Sequence, residues 1–239
     1  MIRKYLQKIF KKISYAFFLK IYGNIENSTK INEDNRIRVE TVNIEKELSY
    51  KVYIISNSRL YTDRIRDTAA ILDNKIVEGP SFQFRDKPGN IAFNSNIRDN
   101  IVFSKGTPRK LRNLNGSVLS LLTGGAGNNN YWHWLFDVLP RICLCSKVFS
   151  LSEIDYFLLP GLLEKYQNET LDSLNIPKNK RLSSKKFRHI KTKKLIVTDH
   201  PVAVTNSPAT DIQNIPSWIM SWLKKNFVNE NLITNKEIK

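Results

Sequence analysis

The chain has 239 residues, room for one large domain or two small ones, and its apolar content is that of a folded core rather than a disordered tail. A formal net charge of +16, with an isoelectric point near 9.8, favours anionic partners: nucleic acid, acidic lipid surfaces or phosphate-bearing small molecules. The alternative is a lysine- and asparagine-rich surface whose charge serves no partner, and no apolar run approaches the ~20 residues that span a bilayer.

Residues Met1 to Gly23 read as an amphipathic helix, with Ile2, Leu6, Ile9, Ile13 and Phe17 at helical spacing and Lys4, Lys8, Lys11 and Lys12 on another face. With no acid among them, these residues suit the surface of an anionic leaflet. Equally, they suit a first helix packed on the domain with its lysines in water. A cleavable signal peptide is disfavoured, because Lys20 and Tyr22 stand where small residues are needed.

Residues 24–35 are polar and asparagine-rich and read as a linker, with the domain proper over 36–239. Val52–Ile55 reads as a strand. Ala69–Leu72 and Lys75–Val77 read as a hairpin turning at Asp73-Asn74. Ile91–Phe93 and Ile101–Phe103 are two further candidate strands. After the central stretch come a strand over Ile154–Leu159, a helix over Gly161–Leu174, a strand over Lys194–Thr198 and a helix over Ser217–Phe227. Strands alternating with helices imply an α/β fold with a parallel sheet and right-handed crossovers.

The central stretch, Ser117 to Cys145, carries most of the chemistry. Val118, Leu119, Leu121 and Leu122 form an apolar run stopped by Gly124 and Gly125, as in a strand buried on both faces. Asn128, Asn129 and Asn130 supply cap acceptors for a helix beginning Tyr131-Trp132-His133-Trp134. Strand, glycine turn, helix is the geometry at which open α/β sheets place ligands. Gly125-Ala126-Gly127 matches two glycines of a dinucleotide fingerprint, but Asn130 replaces the third, and no phosphate-binding lysine motif follows. A turn that needs glycine only for its backbone fits equally. Cys143 and Cys145, two apart on a helix, point away from each other, which excludes a mutual disulfide and fits a reducing, cytoplasmic compartment.

His133 falls in the first turn of that helix, where it could take a proton from a substrate hydroxyl, and Asp137, four residues on, could orient it. A core histidine bonded to a carbonyl, with Asp137 at the surface, is the other reading. Tyr131, Trp132 and Trp134 cannot all face one core, so at least one should line a cleft. Arg141 could fork onto a phosphate or carboxylate, or pair with Asp137. Pro140 lacks an amide and should kink or restart the helix. His200-Pro201 follows a strand and could reach the same crevice, or sit in a plain loop. His133, His189 and His200 are scattered, and no Cys, His or carboxylate cluster has metal-ligand spacing.

The segment from Asn130 to Arg141, NYWHWLFDVLPR, resembles the Asn-Tyr-x-His-Trp-Leu…Leu-Pro-Arg signature of the glycosyltransferase family 61 proteins, whose bacterial branch is described as capsular polysaccharide biosynthesis proteins. Arg59–Asp63, Ala70–Gly79, Gly116–Leu122 and Asp199-His200-Pro201 also look like that family, so the resemblance spans roughly residues 50 to 230. It implies a Rossmann-like N-terminal, acceptor-side domain of a GT-B-type glycosyltransferase, preceded by a small β-hairpin region and the amphipathic helix. It further implies inverting transfer of a sugar from a nucleotide-sugar donor to a glycan acceptor hydroxyl, with no cofactor or obligatory metal.

In these terms His133 and Asp137 are the expected catalytic pair. Gly124, Gly125, Asn130, Tyr131, Trp132, Trp134, Arg141 and His200 are the expected substrate-binding set. The family continues past the point where this chain stops, so a separate donor-binding domain is expected to be missing and the isolated chain to transfer sugar poorly. The expected location is the cytoplasm, peripheral to the membrane through residues 1–23, with no specific nucleic acid. The alternative is a non-catalytic carbohydrate- or membrane-surface-binding module derived from such an enzyme.

Overall fold

β-Branched and aromatic residues dominate residues 48–62, and they form the longest strand, around which a mixed sheet is built. The computed structural model describes residues 2–45, 48–87, 90–93, 96–122, 130–203, 211 and 213–228. In chain order the strands are β1 (Asn27–Thr29), β2 (Ile37–Glu45), β3 (Leu48–Thr62), β4 (Asp67–Leu72), β5 (Lys75–Val77), β6 (Phe82–Lys87), β7 (Asn90–Phe93), β8 (Arg112–Ser120), β9 (Tyr156–Leu159), β10 (Arg181–Ser183) and β11 (His189–Thr198). The helices are α1 (Ile2–Tyr22), α2 (Ile101–Lys105), α3 (Tyr131–His133), α4 (Leu139–Ser146), α5 (Lys165–Ser173) and α6 (Ser217–Phe227).

The protein is mixed α/β. Strands run in the order β1-β5-β4-β3-β11-β8-β9-β10, with β2 on β3 and β6 on β4. One side, β11-β8-β9-β10, is parallel. The other side is built from antiparallel pairs among β2, β3, β4, β5 and β6, and β3 joins the two halves by pairing antiparallel with β11. The expected parallel sheet is therefore half of the observed one. Short turns such as Asp73-Asn74 leave no length for a crossover, and a strand that returns through a tight turn must pair antiparallel.

Both faces of the parallel half are covered, which explains its continuous apolar runs. Leu119, Leu121, Phe157, Leu159 and Ile196 point to one face, where they pack with Val138, Leu139 and Ile142 and with Trp218, Ile219 and Leu223 of α6. Their sequence neighbours Val118, Leu122, Leu158, Leu195 and Val197 point to the other, against Ile55, Leu60, Val77 and Phe82. Alternation of side chains along each strand distributes one apolar run between two cores.

The Asp73-Asn74 hairpin forms as expected, with both residues at positive φ (46° and 58°), the conformation of a tight two-residue turn that matches strand twist. Three expectations change. Ile101–Phe103 is not a strand but part of α2, because the Asn100 side chain caps the Val102 amide and Gly106, at φ 59°, ends the turn. Residues 24–35 are not merely a linker: β1 pairs parallel with β5, and Ile25 is buried beside Ile71 and Ile76. The helix expected over Gly161–Leu174 starts later, at Lys165, where the Glu164 and Gln167 side chains close a capping box.

Candidate active site

The chain leaves β8 at Ser120 and re-enters a helix after Asn130. The Asn130 Oδ1 accepts from the amides of Trp132 (2.9 Å) and His133 (3.4 Å), the cap its side chain was expected to supply. Gly124, Gly125 and the rest of 123–129 lie outside the described residues.

Residues 131–146 form one helix interrupted by a π-turn over Trp134–Val138, in which the Leu139 amide donates to the Trp134 carbonyl. Pro140 is the cause. It has no amide for the carbonyl of Phe136, and its ring would strike that carbonyl in a regular α-helix, so the preceding turn widens. This is the restart expected of that proline. Single π-turns of this kind are frequent where a helix presents a functional side chain.

That turn carries Asp137. Its Oδ2 lies 2.6 Å from His133 Nδ1 and its Oδ1 lies 3.6 Å from His200 Nε2. The carboxylate accepts from His133, so in the neutral ring Nδ1 bears the proton and Nε2 the lone pair. His200 has the opposite tautomer: its Nδ1 accepts from the amides of Val202 (3.2 Å) and Ala203 (2.9 Å), which leaves the proton on Nε2, facing Asp137. Asp137 is 3% exposed while the His133 side chain is 29% exposed, so the pair runs from the interior to the surface. Burial alone would push the Asp137 carboxyl up; the imidazoles of His200 and His133 outweigh it and hold it down at about 2.

The two rings come from different strands. His133 and Asp137 follow β8, and His200 follows β11; these neighbours are parallel, with Ser120 opposite Val197 near their C-terminal ends. Successive strands β8, β9 and β10 are added in one direction, whereas β11 lies on the far side of β8. The cluster therefore sits where the winding reverses, the point at which open α/β sheets leave a crevice.

The loop after β11 is firmly held. Asp199 accepts from the Tyr53 hydroxyl (2.8 Å) and the Lys51 amide (2.7 Å), the Tyr50 hydroxyl donates to the Pro201 carbonyl (3.1 Å), and Trp218 Nε1 donates to Tyr50 (3.0 Å). Asp199, Tyr50 and Tyr53 were not foreseen as supports of the site. The Asp-His-Pro triplet after a strand was the available signal.

Among the expected binding residues the structure makes a clear separation. Tyr131 is 55% exposed with its ring edge on Tyr166, and Trp132 is half-buried beside His133 and Phe136. Trp134 is instead a core residue: it is 2% exposed and its Nε1 donates to Thr170 Oγ1 at 2.9 Å, so it faces no ligand. Arg141 is fully buried and does not fork onto a surface anion. Its Nε donates to the Asp137 carbonyl (3.1 Å) and its Nη1 to the Thr198 carbonyl (2.9 Å), tying the π-turn to the end of β11, with the guanidinium over the Phe82 ring. Burial lowers its pKa to about 10, against the pull of Asp137 and Asp199, so it stays a cation at neutral pH. Its Nη2 is buried and without a hydrogen bond among the described residues.

His189, the third histidine, is in the core under α1 and takes no part. No group of three His, Cys, Asp or Glu side chains among the described residues could hold a metal ion. Cys143 and Cys145 are buried free thiols, raised by burial, Cys145 to about 12.

No protein-family profile matches the chain, no curated protein is significantly similar to it, and no solved structure matches it.

Proposed function

We propose that the chain is the acceptor-side unit of an inverting glycosyltransferase, in which His133 is the general base. The observation that carries this reading is the Asp137-held imidazole at the C-terminal ends of β8 and β11, a partly exposed ring whose Nδ1 is taken by the carboxylate. An acceptor hydroxyl hydrogen-bonded to Nε2 gives up its proton as its oxygen attacks the anomeric carbon of the donor, and the nucleoside diphosphate departs from the opposite face. The Asp137 carboxylate then faces the imidazolium that has formed, and His200 Nε2 lies 3.6 Å from the other carboxylate oxygen. A positioned base of this kind contributes roughly 10²- to 10⁴-fold in rate.

Tyr131 and Trp132, adjoining His133, offer flat faces for a sugar ring beside the base. Arg141 has a supporting role: it fixes the π-turn, and the diphosphate must be met by other groups. The second reading, a carbohydrate-binding module without transfer, is favoured by the placement of Arg141, because the cation best placed in sequence for the leaving group is committed to two backbone carbonyls.

The test is a transfer assay on the chain expressed in its complete reading frame, with pooled nucleotide sugars and pooled oligosaccharide acceptors, read by mass spectrometry. A product heavier than an acceptor by one sugar residue, lost in His133→Ala, supports the transferase. Acceptor binding that needs Tyr131 and Trp132, with no product from any donor, supports the binding module instead.

A further inference from the structure

Helix α1 presents its apolar side away from the protein. Among the described residues, Ser14 and the aromatic Tyr15, Phe18 and Tyr22, the last three spaced three and four apart, are its half-buried ones. The Tyr22 hydroxyl accepts from the Leu111 amide at 2.9 Å, its ring meets the edge of His189 at 4.9 Å, and Phe18 stacks on it at 5.7 Å. Leu6, Ile9, Phe10, Ile13, Phe17 and Ile21 also recur at three- and four-residue steps, on the roughly opposite side of a helix of about 3.6 residues per turn, and all are exposed, Phe10 at 72%. A helix that packed through its hydrophobic stripe would have buried these residues and left its lysines in water. Here the apolar residues are exposed, and so are Lys11, Lys12 and Lys20.

Charge identifies what covers the stripe. The helix sequence holds Arg3, Lys4, Lys8, Lys11, Lys12 and Lys20 and no acid. Where its last turns meet the body, Leu19 lies against Gly106, and the neighbouring Lys105, Arg109 and Lys110 are exposed; Lys185 and Lys186 are exposed beside Arg112. Apolar side chains flanked by cations fit the boundary between headgroups and acyl chains of an anionic bilayer. A second copy would set lysines against lysines, and a nucleic acid would leave the stripe in water. No helix among the described residues is long and apolar enough to cross a membrane, so α1 lies along the surface.

We infer that α1 docks the protein, in the plane of the interface, on an anionic lipid surface through Leu6, Ile9, Phe10, Ile13, Phe17 and Ile21. The foot of α1 is at the N-terminal ends of β8 and β11, where Leu111 and His189 hold it, and the His133 cluster is at their other ends. Nine residues of β8, at about 3.3 Å each, separate the two by at most about 30 Å along the strand, so the foot of α1 and the His133 cluster are at opposite ends of the same strands. This inference does not rest on the glycosyltransferase reading.

The experiment is co-flotation of the full chain with vesicles of phosphatidylcholine alone or mixed with phosphatidylglycerol, at low and high salt. The wild type is expected to float with the anionic vesicles only, and less so at high salt. Combined Phe10→Glu, Ile13→Glu and Phe17→Glu should reduce the bound fraction about tenfold or more, as should Lys11→Glu with Lys12→Glu, with unchanged circular dichroism and melting. Equal binding to neutral vesicles, binding indifferent to both variants, or a dimer in solution that the apolar variants disperse would each overturn the inference.

Discussion

His133 Nδ1 stands 2.6 Å from Asp137 Oδ2, and this one contact decides which ring nitrogen is left for chemistry. A carboxylate can only accept, so the proton is on Nδ1 and the lone pair on Nε2. His200 is fixed the other way round by two backbone amides. Nitrogen-15 spectra of the neutral rings should therefore show Nε2 unprotonated in His133 and Nδ1 unprotonated in His200. In Asp137→Asn the His133 preference should weaken, because an amide can donate as well as accept.

Asp137 also ties stability to pH. Its carboxyl falls from an ordinary 3.8 to about 2 in the folded chain, so its stabilising contribution is present above pH 3.8 and is lost as the pH falls through about 2. The size is on the order of 2 kcal/mol at one pKa unit per about 1.4 kcal/mol. Urea unfolding of wild type and Asp137→Asn across that window should show the wild type losing more stability than the variant.

His189 acts in a higher window and with the opposite chemistry. Burial, against a hydrogen bond from its Nδ1 to the Arg109 carbonyl at 3.0 Å and with a further push from Arg59, lowers it from an ordinary 6.5 to about 4. Tyr22 and Tyr61 meet it through ring edges. Between those values the unfolded chain binds the extra proton and the native chain does not, so stability falls as the pH drops from 6.5 towards 4, by on the order of 3 kcal/mol. His189→Asn, which keeps a donor for Arg109, should be less stable than wild type at pH 8 and flatter across that window in urea titrations.

Tyr131 and Trp134 should part company on mutation. Trp134→Ala empties a packed site and leaves Thr170 without its indole partner, a cost of about 3–5 kcal/mol in unfolding free energy. Tyr131→Ala should change unfolding by less than about 1 kcal/mol and show its effect in acceptor affinity. Calorimetric melts of the two variants, with acceptor titrations of the second, check both.

Arg141→Ala should be among the most destabilising changes near the site, at about 3–5 kcal/mol, since it strips the Asp137 and Thr198 carbonyls of their buried donors. Arg141→Lys should recover only part of this, because an ammonium does not reproduce the planar fork that reaches both carbonyls.

Local signals in the sequence gave the right answer where neighbours along the chain decide the structure. Asn130 before Tyr131-Trp132, the Asp73-Asn74 tip and the span Ser217–Phe227 all fall into place, because caps and tight turns are set within a few residues. Ile101–Phe103 misled because three apolar residues fit either period, and the decisive pair, Asn100 and Gly106, flanks them. The facing of Trp134 was hidden for another reason: Pro140 widens the turn that contains it, and helical spacing does not register a π-turn. His133 with Asp137 was legible at four residues' spacing. Their meeting with His200 depends on β11 lying against β8, a pairing between segments far apart in the chain, which no local pattern encodes.

The most direct measurement of the central claim is the rate of sugar transfer by His133→Ala, with and without added imidazole, in the complete reading frame. If Nε2 of His133 takes the acceptor proton, the rate should fall roughly 10²- to 10⁴-fold and imidazole should restore part of it. A folded His133→Ala protein that transfers at the wild-type rate would contradict the assignment.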